Sequence, residues 1–459
     1  MSPTRASRGL WIEPALGILV ALSLIYPLIH LFTYGYLPQP FFYAPDDLWA
    51  DWFNTAYFAY DHGAYDAWRT IYPPLSFVFL RLFTLQRCYV PTDGGDSSPG
   101  LAARPCDWWG LFSLHAFYVI AIALAAYSFY KWDRKTALWR TIAIGLGFPL
   151  LDGLERGNLV IVSFICLMLA FGPILKSARW RAVAIGLAIN FKVYLIASLM
   201  PLLLRRKWRF VEWGLLSTVI TFLATYALLG RGTPLQIYNN IVEFNEWQSQ
   251  AKDLLSIWYS TTFTPHLGLL NSPLISIPDL IGSRNTDILL FLIPLLIHST
   301  QAAIMLAAAA VWLRPGVVPW YRVINLGLMF ALITSEAGGY TQVYFMYFVF
   351  FEKFEGVGRK WAIIACYLLC PSTDIPVDTV FMPVVRDTYL WGQTVIVTFY
   401  VMLGPFFRPL IVLSVPFALS LVTLREVWKD IREQGWRLRW RFRNDAPLLV
   451  GDGAARPAA

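Results

Sequence analysis

Charge is what this 459-residue chain has least of: Asp, Glu, Lys and Arg make up 14% of it, where soluble domains carry about 25%. Hydrophobic residues supply 57% and mean hydropathy is +0.53. So little charge cannot coat a water-facing surface of this size, and the composition is that of an integral membrane protein. Nucleotide chemistry is missing too. No Walker A loop, dinucleotide fingerprint, HExxH helix or nucleophile elbow occurs, and no soluble nucleotide-binding domain. Any activated group must therefore arrive on a membrane-embedded or externally bound substrate. Cysteine is rare, with five residues, and no spacing resembles a zinc site. Cys166, Cys366 and Cys370 lie in or beside apolar runs and read as packing residues. Cys88 and Cys106 bracket a loop rich in Gly, Pro, Asp and Ser, where they can pair if that loop faces an oxidising compartment. There is no internal repeat, coiled coil or low-complexity tract.

The charge that is present has a sign and a place. The net charge is +8, and the surplus sits in short loops and at the two ends, a positive-inside signal rather than a nucleic-acid footprint. Basic clusters at 5–8, 131–140, 176–181, 205–209 and 425–443 are expected in the cytoplasm, which places both termini there. The apolar run from Pro14 resembles a signal sequence but is long and lacks a clear cleavage site, so it reads as a retained first helix. Runs free of charge predict an all-α polytopic protein of about 11–13 transmembrane segments. Among the expected spans are residues 14–45, 108–130, 288–313, 388–407 and 409–424. Residues 1–430 form the membrane domain, with a first extracytoplasmic loop at 34–72 and a large polar loop at 231–285; residues 431–459 form a basic cytoplasmic tail. Residues 182–204 lie between two basic clusters, a conflict that a re-entrant pair of half-helices meeting near Asn190-Phe191-Lys192 resolves.

The stretch 46–74 concentrates acidic and aromatic residues. Read as a helix capped by Asp46, it gathers Trp49, Trp52, Phe53, Ala56, Tyr57 and Tyr60 on one stripe and turns Asp47, Asp51 and Asn54 to water. Ionisable residues inside apolar segments are costly and mark candidate sites. Lys192 can meet a phosphate or a carboxylate, or snorkel to the interface. Arg156, in Glu155-Arg156-Gly157-Asn158, can bind an anionic group across a tight turn. His266 in the large loop can contact phosphate or a sugar hydroxyl, or serve as a loop residue. Glu336 interrupts a helix beside the same region.

Taken in order, these motifs resemble the GT-C membrane glycosyltransferases, and most closely glycosyltransferase family 87 (DUF2029), the polyprenol-phosphate-mannose-dependent α-mannosyltransferases. The matching residues are Asp51, Gly63, Tyr65 and Tyr72-Pro73-Pro74, then the 155–158 turn, then 186–209 with Lys192 and Tyr194. Leu195 stands where the family has proline. The resemblance implies a GT-C-like bundle with extracytoplasmic interfacial helices in a cell (plasma or inner) membrane. It implies transfer of a hexose, mannose favoured, from a polyprenyl-phosphate donor to a glycan or glycolipid acceptor, with inversion. On that reading Asp51 is the general base with Asp47 as its understudy. Lys192, Arg156, Asn158, His266 and Tyr72 are the donor-phosphate and substrate-binding candidates, since cations can stabilise a phosphate leaving group without a metal. No cofactor is expected and a divalent metal is not favoured. Two other readings stay open, a polysaccharide polymerase or ligase working from the large polar loop, and a lipid-linked sugar transporter.

Overall fold

The computed structural model describes residues 11–436 apart from 43, 61–62, 92–97, 250–256, 258–259, 273–275, 335–337 and 381–382. Glu336, the clusters before residue 11 and the tail beyond 436 lie outside the described residues. The chain is an all-α polytopic membrane protein, and among the described residues six segments are long and apolar enough to cross a bilayer: Ile12–Tyr34, Trp108–Trp132, Ala137–Glu155, Trp208–Leu229, Ser283–Leu313 and Gly404–Gln434. Other charge-free runs fold as shorter apolar helices, among them Val160–Phe171, Val193–Leu204 and Trp320–Leu332.

The first span is α1 (Ile12–Ser23) and α2 (Ile25–Tyr34), followed by the short helices α3 (Ala50–Ala59) and α4 (Pro74–Leu82). Pro74 is suited to the first turn of α4, where a missing N–H costs nothing, and Pro73 before it holds the chain extended. Next come α5 (Trp108–Trp132), α6 (Ala137–Gly145), α7 (Phe148–Glu155) and α8 (Val160–Phe171). Nearly every residue of α8 is buried, as expected of a helix apolar all round.

After α9 (Ala178–Phe191) the chain extends at Lys192 and turns back through a 3₁₀ segment, Val193–Leu199, into α10 (Met200–Leu204) and then α11 (Trp208–Leu229). The close approaches give the direction. Gly186 abuts Ser217, Asn190 Nδ2 donates to Thr218 O at 3.0 Å, and Ile185 and Leu199 both approach Gly214. Thus α9 and α11 run the same way, the intervening segment returns between them, and Lys192 is the apex of a hairpin. Beyond α11 lie α12 (Pro234–Ser249), α13 (Thr264–Leu270), α14 (Ile277–Ile281), α15 (Ser283–Leu313), α16 (Trp320–Leu332), α17 (Gln342–Val349), α18 (Val357–Leu368) and α19 (Gly404–Gln434). All of α17 is buried.

One sequence expectation fails locally. Residues 388–407 are not a span: β1 (Pro376–Thr379) pairs antiparallel with β4 (Tyr400–Met402), and β2 (Val384–Asp387) with β3 (Thr394–Val397). The β-branched run Thr394-Val395-Ile396-Val397 alternates exposed and buried, the period of a strand. The last helix, α19, continues past residue 430 to Gln434.

The 25 residues of α5, about 37 Å at 1.5 Å per residue, separate two ends of the molecule. At its start Asp107 caps the helix, Oδ1 accepting from Gly110 N at 2.9 Å, while Oδ2 accepts from Tyr89 Oη at 2.7 Å. The Cys88–Cys106 disulfide lies beside it. This corner holds α3: Gly100 N donates to Asn54 Oδ1 at 2.9 Å and Arg104 Nη1 to Leu48 O at 2.8 Å. A Cβ at Gly100 would lie 2.2 Å from Phe53 O, so only glycine permits the approach. At the far end Trp132 meets Tyr321 edge-on at 5.5 Å, beside a buried Arg322–Glu352 pair.

Candidate active site

The helix that the sequence starts at Asp46 starts four residues later. Trp49 is left-handed (φ 63°) and no side chain caps the helix. Instead, Trp49 N donates to Glu155 O at 2.7 Å and Asp51 N to Arg156 O at 2.9 Å, so the 155–158 turn satisfies the open end of α3. Trp52, Phe53 and Ala56 are fully buried and anchor the helix. Gly157 lets the two meet: its φ is +65°, and a Cβ there would stand 2.9 Å from Trp52 Cβ and 3.0 Å from Trp49 O. No pattern within 46–74 could reveal a cap supplied a hundred residues later.

This junction turns the acidic residues toward protein rather than open water. Arg156 Nη1 donates to Asp47 Oδ2 at 2.6 Å and Nη2 to Asp51 Oδ1 at 3.3 Å. Asn158 Nδ2 donates to Asp51 Oδ2 at 2.6 Å, while its Oδ1 accepts from Val160 N at the start of α8, which fixes the amide's orientation. The side chains of Asp47 and Asp51 remain 18% and 26% exposed, enough for a substrate to reach them. Burial holds the Asp47 carboxyl above the usual carboxylate range, against the opposing pull of Arg156. The guanidinium packs over the Phe42 ring at 4.0 Å.

Lys192 closes the other side. Its Nζ donates to Tyr72 Oη at 3.4 Å and lies 4.7 Å from the Tyr72 ring centre and 5.8 Å from that of Tyr340. Tyr72 is in turn hydrogen-bonded with Asn158, and burial pushes its hydroxyl up, so it stays protonated. Lys192 is buried, and among the described residues it forms no ion pair with a carboxylate. Arg156, by contrast, already serves two. Six of the seven residues singled out in the sequence therefore meet: Asp47, Asp51, Tyr72, Arg156, Asn158 and Lys192. Residues 70–335, more than half of the chain, match the model of glycosyltransferase family 87.

The chain belongs to glycosyltransferase family 87.

No curated protein and no solved structure matches it. The family match includes Tyr72, Arg156, Asn158, Lys192 and His266, and begins after Asp47 and Asp51. A glycosyltransferase must bring a sugar donor and an acceptor together in this bilayer-embedded fold. Among the described residues no three His, Cys, Asp or Glu side chains come together in a way that could hold a metal ion.

His266 stands apart in α13. It is buried, its ring edge-on to Phe263 at 5.4 Å and to Phe406 at 5.8 Å, and no hydrogen bond or ion pair joins it to the Asp51 cluster among the described residues. Burial lowers its pKa to about 4, more than the Thr262 and Pro405 backbones restore. A neutral ring can offer a hydrogen bond to a sugar or phosphate but brings no positive charge.

Sequence reading missed a neighbouring polar group. Asp152, one turn before Arg156 on α7, is buried against Gly339 and interacts electrostatically with Arg408, whose Nη2 donates to Asp374 Oδ2 at 2.6 Å. Phe148, four residues before Asp152 on the same face, lies 5.4 Å beneath the Arg408 guanidinium. Asp152 interrupts an apolar stretch and was visible as a costly residue. Asp374 and Arg408 sit 34 residues apart beyond the family match, and no local pattern links them.

Proposed function

We propose that this family 87 enzyme is a GT-C-type hexosyltransferase working at the extracytoplasmic face of a cell membrane. It moves a hexose, mannose favoured, from a polyprenyl-phosphate donor to a glycan or glycolipid acceptor, with inversion. One observation carries the reading: a half-open carboxylate, Asp51, is held by Arg156 and Asn158 within the field of a buried lysine that forms no ion pair with a carboxylate among the described residues. Asp51 takes the proton of the acceptor hydroxyl as that oxygen forms its bond to the anomeric carbon. The bond from that carbon to the phosphate oxygen breaks, and polyprenyl phosphate leaves with the electron pair. Lys192 offsets the charge that develops on the phosphate, and its burial makes that interaction stronger than it is in water. Tyr72 stays protonated and donates beside it. Attack opposite the leaving group accounts for inversion.

Sidedness has two supports. The Cys88–Cys106 disulfide belongs to the corner that holds α3, and disulfides persist in oxidising compartments. The apex of the α9 hairpin carries Lys192, so Arg181 and the cluster at 205–209 lie together at the other end, as cytoplasmic basic loops do. Arg205 Nε and Arg206 Nη2 donate to Pro315 O and Trp312 O, which brings the end of α15 to the same place.

The test is transfer by purified protein from a panel of radiolabelled polyprenyl-phosphate sugars to acceptor extracts, wild type beside Asp51→Asn. Label transferred from one donor, falling about 10²–10⁴-fold in the variant while donor binding persists, is the expected result. Undiminished transfer by Asp51→Asn would remove it as the base, and silence with every donor would overturn the lipid-sugar reading.

A further inference from the structure

We propose that Asp47 is a positioning residue that keeps Asp51 basic by drawing Arg156 away from it, and is not an alternative base. The inference rests on the reading of Asp51 as general base. Its observation is the asymmetry of the shared arginine: Nη1 lies 2.6 Å from Asp47 Oδ2, whereas Nη2 lies 3.3 Å from Asp51 Oδ1. A guanidinium that closes on one carboxylate alone forms two short parallel bonds to it and lowers its affinity for a proton. Here the two bonds go to different side chains, and the stronger one is spent on Asp47. The left-handed Trp49 between them makes the split possible, because it turns the backbone so that Asp47, outside α3, and Asp51, in its first turn, face the same guanidinium.

Apart from the Arg156 guanidinium itself, the groups facing Asp51 keep their places when Asp47 changes. Asn158 holds Oδ2, Arg156 reaches it from the 155–158 turn, Lys192 and Tyr72 from across the site, and Asp152 and Glu155 act from α7. Arg156, Lys192 and Asn158 present cationic or donor groups to the Asp51 carboxylate, and Asp47 presents a like charge to it. Removing the Asp47 charge withdraws a repulsion and frees Arg156 to close on Asp51, and both changes act in one direction. They make Asp51 a weaker base. The bond from Asn158 Nδ2, whose orientation is fixed by its cap on α8, then anchors a carboxylate that Arg156 grips from the other side.

The experiment is the pH dependence of kcat/KM for transfer from a polyprenyl-phosphate sugar, compared among wild type, Asp47→Asn, Asp47→Glu and Asp51→Asn in the same detergent. In Asp47→Asn the acid limb is expected to move down by about one pH unit, the plateau kcat to fall about 3–10-fold, and KM for the donor to stay. Asp47→Glu, which can still occupy Nη1, restores the wild-type limb. If Asp47→Asn fails to fold, Asp47→Ser removes the same charge from a smaller side chain and is read in the same way. An unmoved limb in the charge-removing variant overturns the proposal and leaves Asp51 as the base. So does loss of transfer as complete as in Asp51→Asn, since that is what a second base gives. Full transfer by Asp51→Asn would instead fail the underlying reading.

Discussion

Arg156 and Arg322 each hold two carboxylates, at opposite ends of α5, and to different purpose. Arg322 donates Nε and Nη2 to the two oxygens of Glu352 at 2.5 and 2.7 Å and Nη1 to Glu426 Oε2 at 2.6 Å. The other Glu426 oxygen accepts from Arg359 at 2.7 Å. The Arg322 and Glu352 side chains are 1% exposed. Every carboxylate oxygen in that group is matched to a guanidinium, the geometry of a rivet between α16, α19 and the end of α17. Around Arg156 each carboxylate receives a single guanidinium bond, the three side chains are 15–26% exposed, and a buried lysine stands nearby. One composition thus gives a closed lock or an accessible charged site, depending on burial and on how many oxygens are already satisfied.

The widest separation between the two ends comes from Lys192, since among the described residues no buried lysine stands beside Arg322. Lys192→Met is expected to lower kcat about 10²–10³-fold, the loss typical of one donor to a developing anion. Removing a buried charge that has no carboxylate partner costs the fold little. Transfer kinetics beside thermal unfolding check both halves, and a destabilised variant with normal turnover would make Lys192 structural.

Exchanging the arginines themselves comes next. Arg322→Met leaves Glu352 buried and uncompensated and is expected to cost about 3–5 kcal/mol of stability, while whatever remains folded turns over near the wild-type rate. Arg156→Met should do the reverse. Its pairs are partly solvated, worth about 1 kcal/mol or less, yet a displaced Asp51 lowers kcat about 10²-fold. Equal destabilisation by the two, read from denaturation midpoints, would dissolve the distinction between lock and site. A milder probe is Gly157→Ala. Left-handed backbone and a Cβ 2.9 Å from Trp52 Cβ should cost about 1–3 kcal/mol and reduce turnover by loosening α3 against the turn. A neutral Gly157→Ala would mean the junction is less exacting than its geometry implies.

How much of this was legible depended on distance along the chain. The Tyr-Pro-Pro entry to α4 and the turn at 155–158 are local, and their residues carry their own conformational preferences. The reversal at Lys192 was visible too, because two basic clusters flanking a single apolar run posed a topological conflict that only a few arrangements resolve. The cap of α3 was not, since it comes from the backbone of Glu155 and Arg156 rather than from Asp46. Hydropathy alone misread residues 388–407, where strand alternation and apolar content look alike to a charge count. The Arg156 partners were half visible: the sequence singled out both sides without showing that they neutralise one another. Arg408 and Asp374, and likewise the members of the Arg322 lock, come together only through packing between distant segments.

The smallest expected effect belongs to His266, and it sharpens the contrast from the other direction, as a buried group near the open end that carries no charge. With its pKa lowered to about 4 by burial, the ring is neutral wherever the enzyme is expected to work, so no limb of the pH–rate profile near 6–7 should belong to it. His266→Gln keeps a polar, uncharged side chain of similar reach and is expected to change turnover less than about threefold, within the weight of one neutral hydrogen bond. The sign of its stability effect follows from linkage. The unfolded histidine binds a proton below about 6.5 whereas the folded one resists until about 4, so folding is increasingly opposed as pH falls across that interval. Glutamine removes this term, and the stability of His266→Gln should therefore decline less steeply than wild type between those two pH values. An unaltered slope, or a turnover loss approaching that of Lys192→Met, would mean that His266 is charged in the working enzyme and belongs with the phosphate-facing cations.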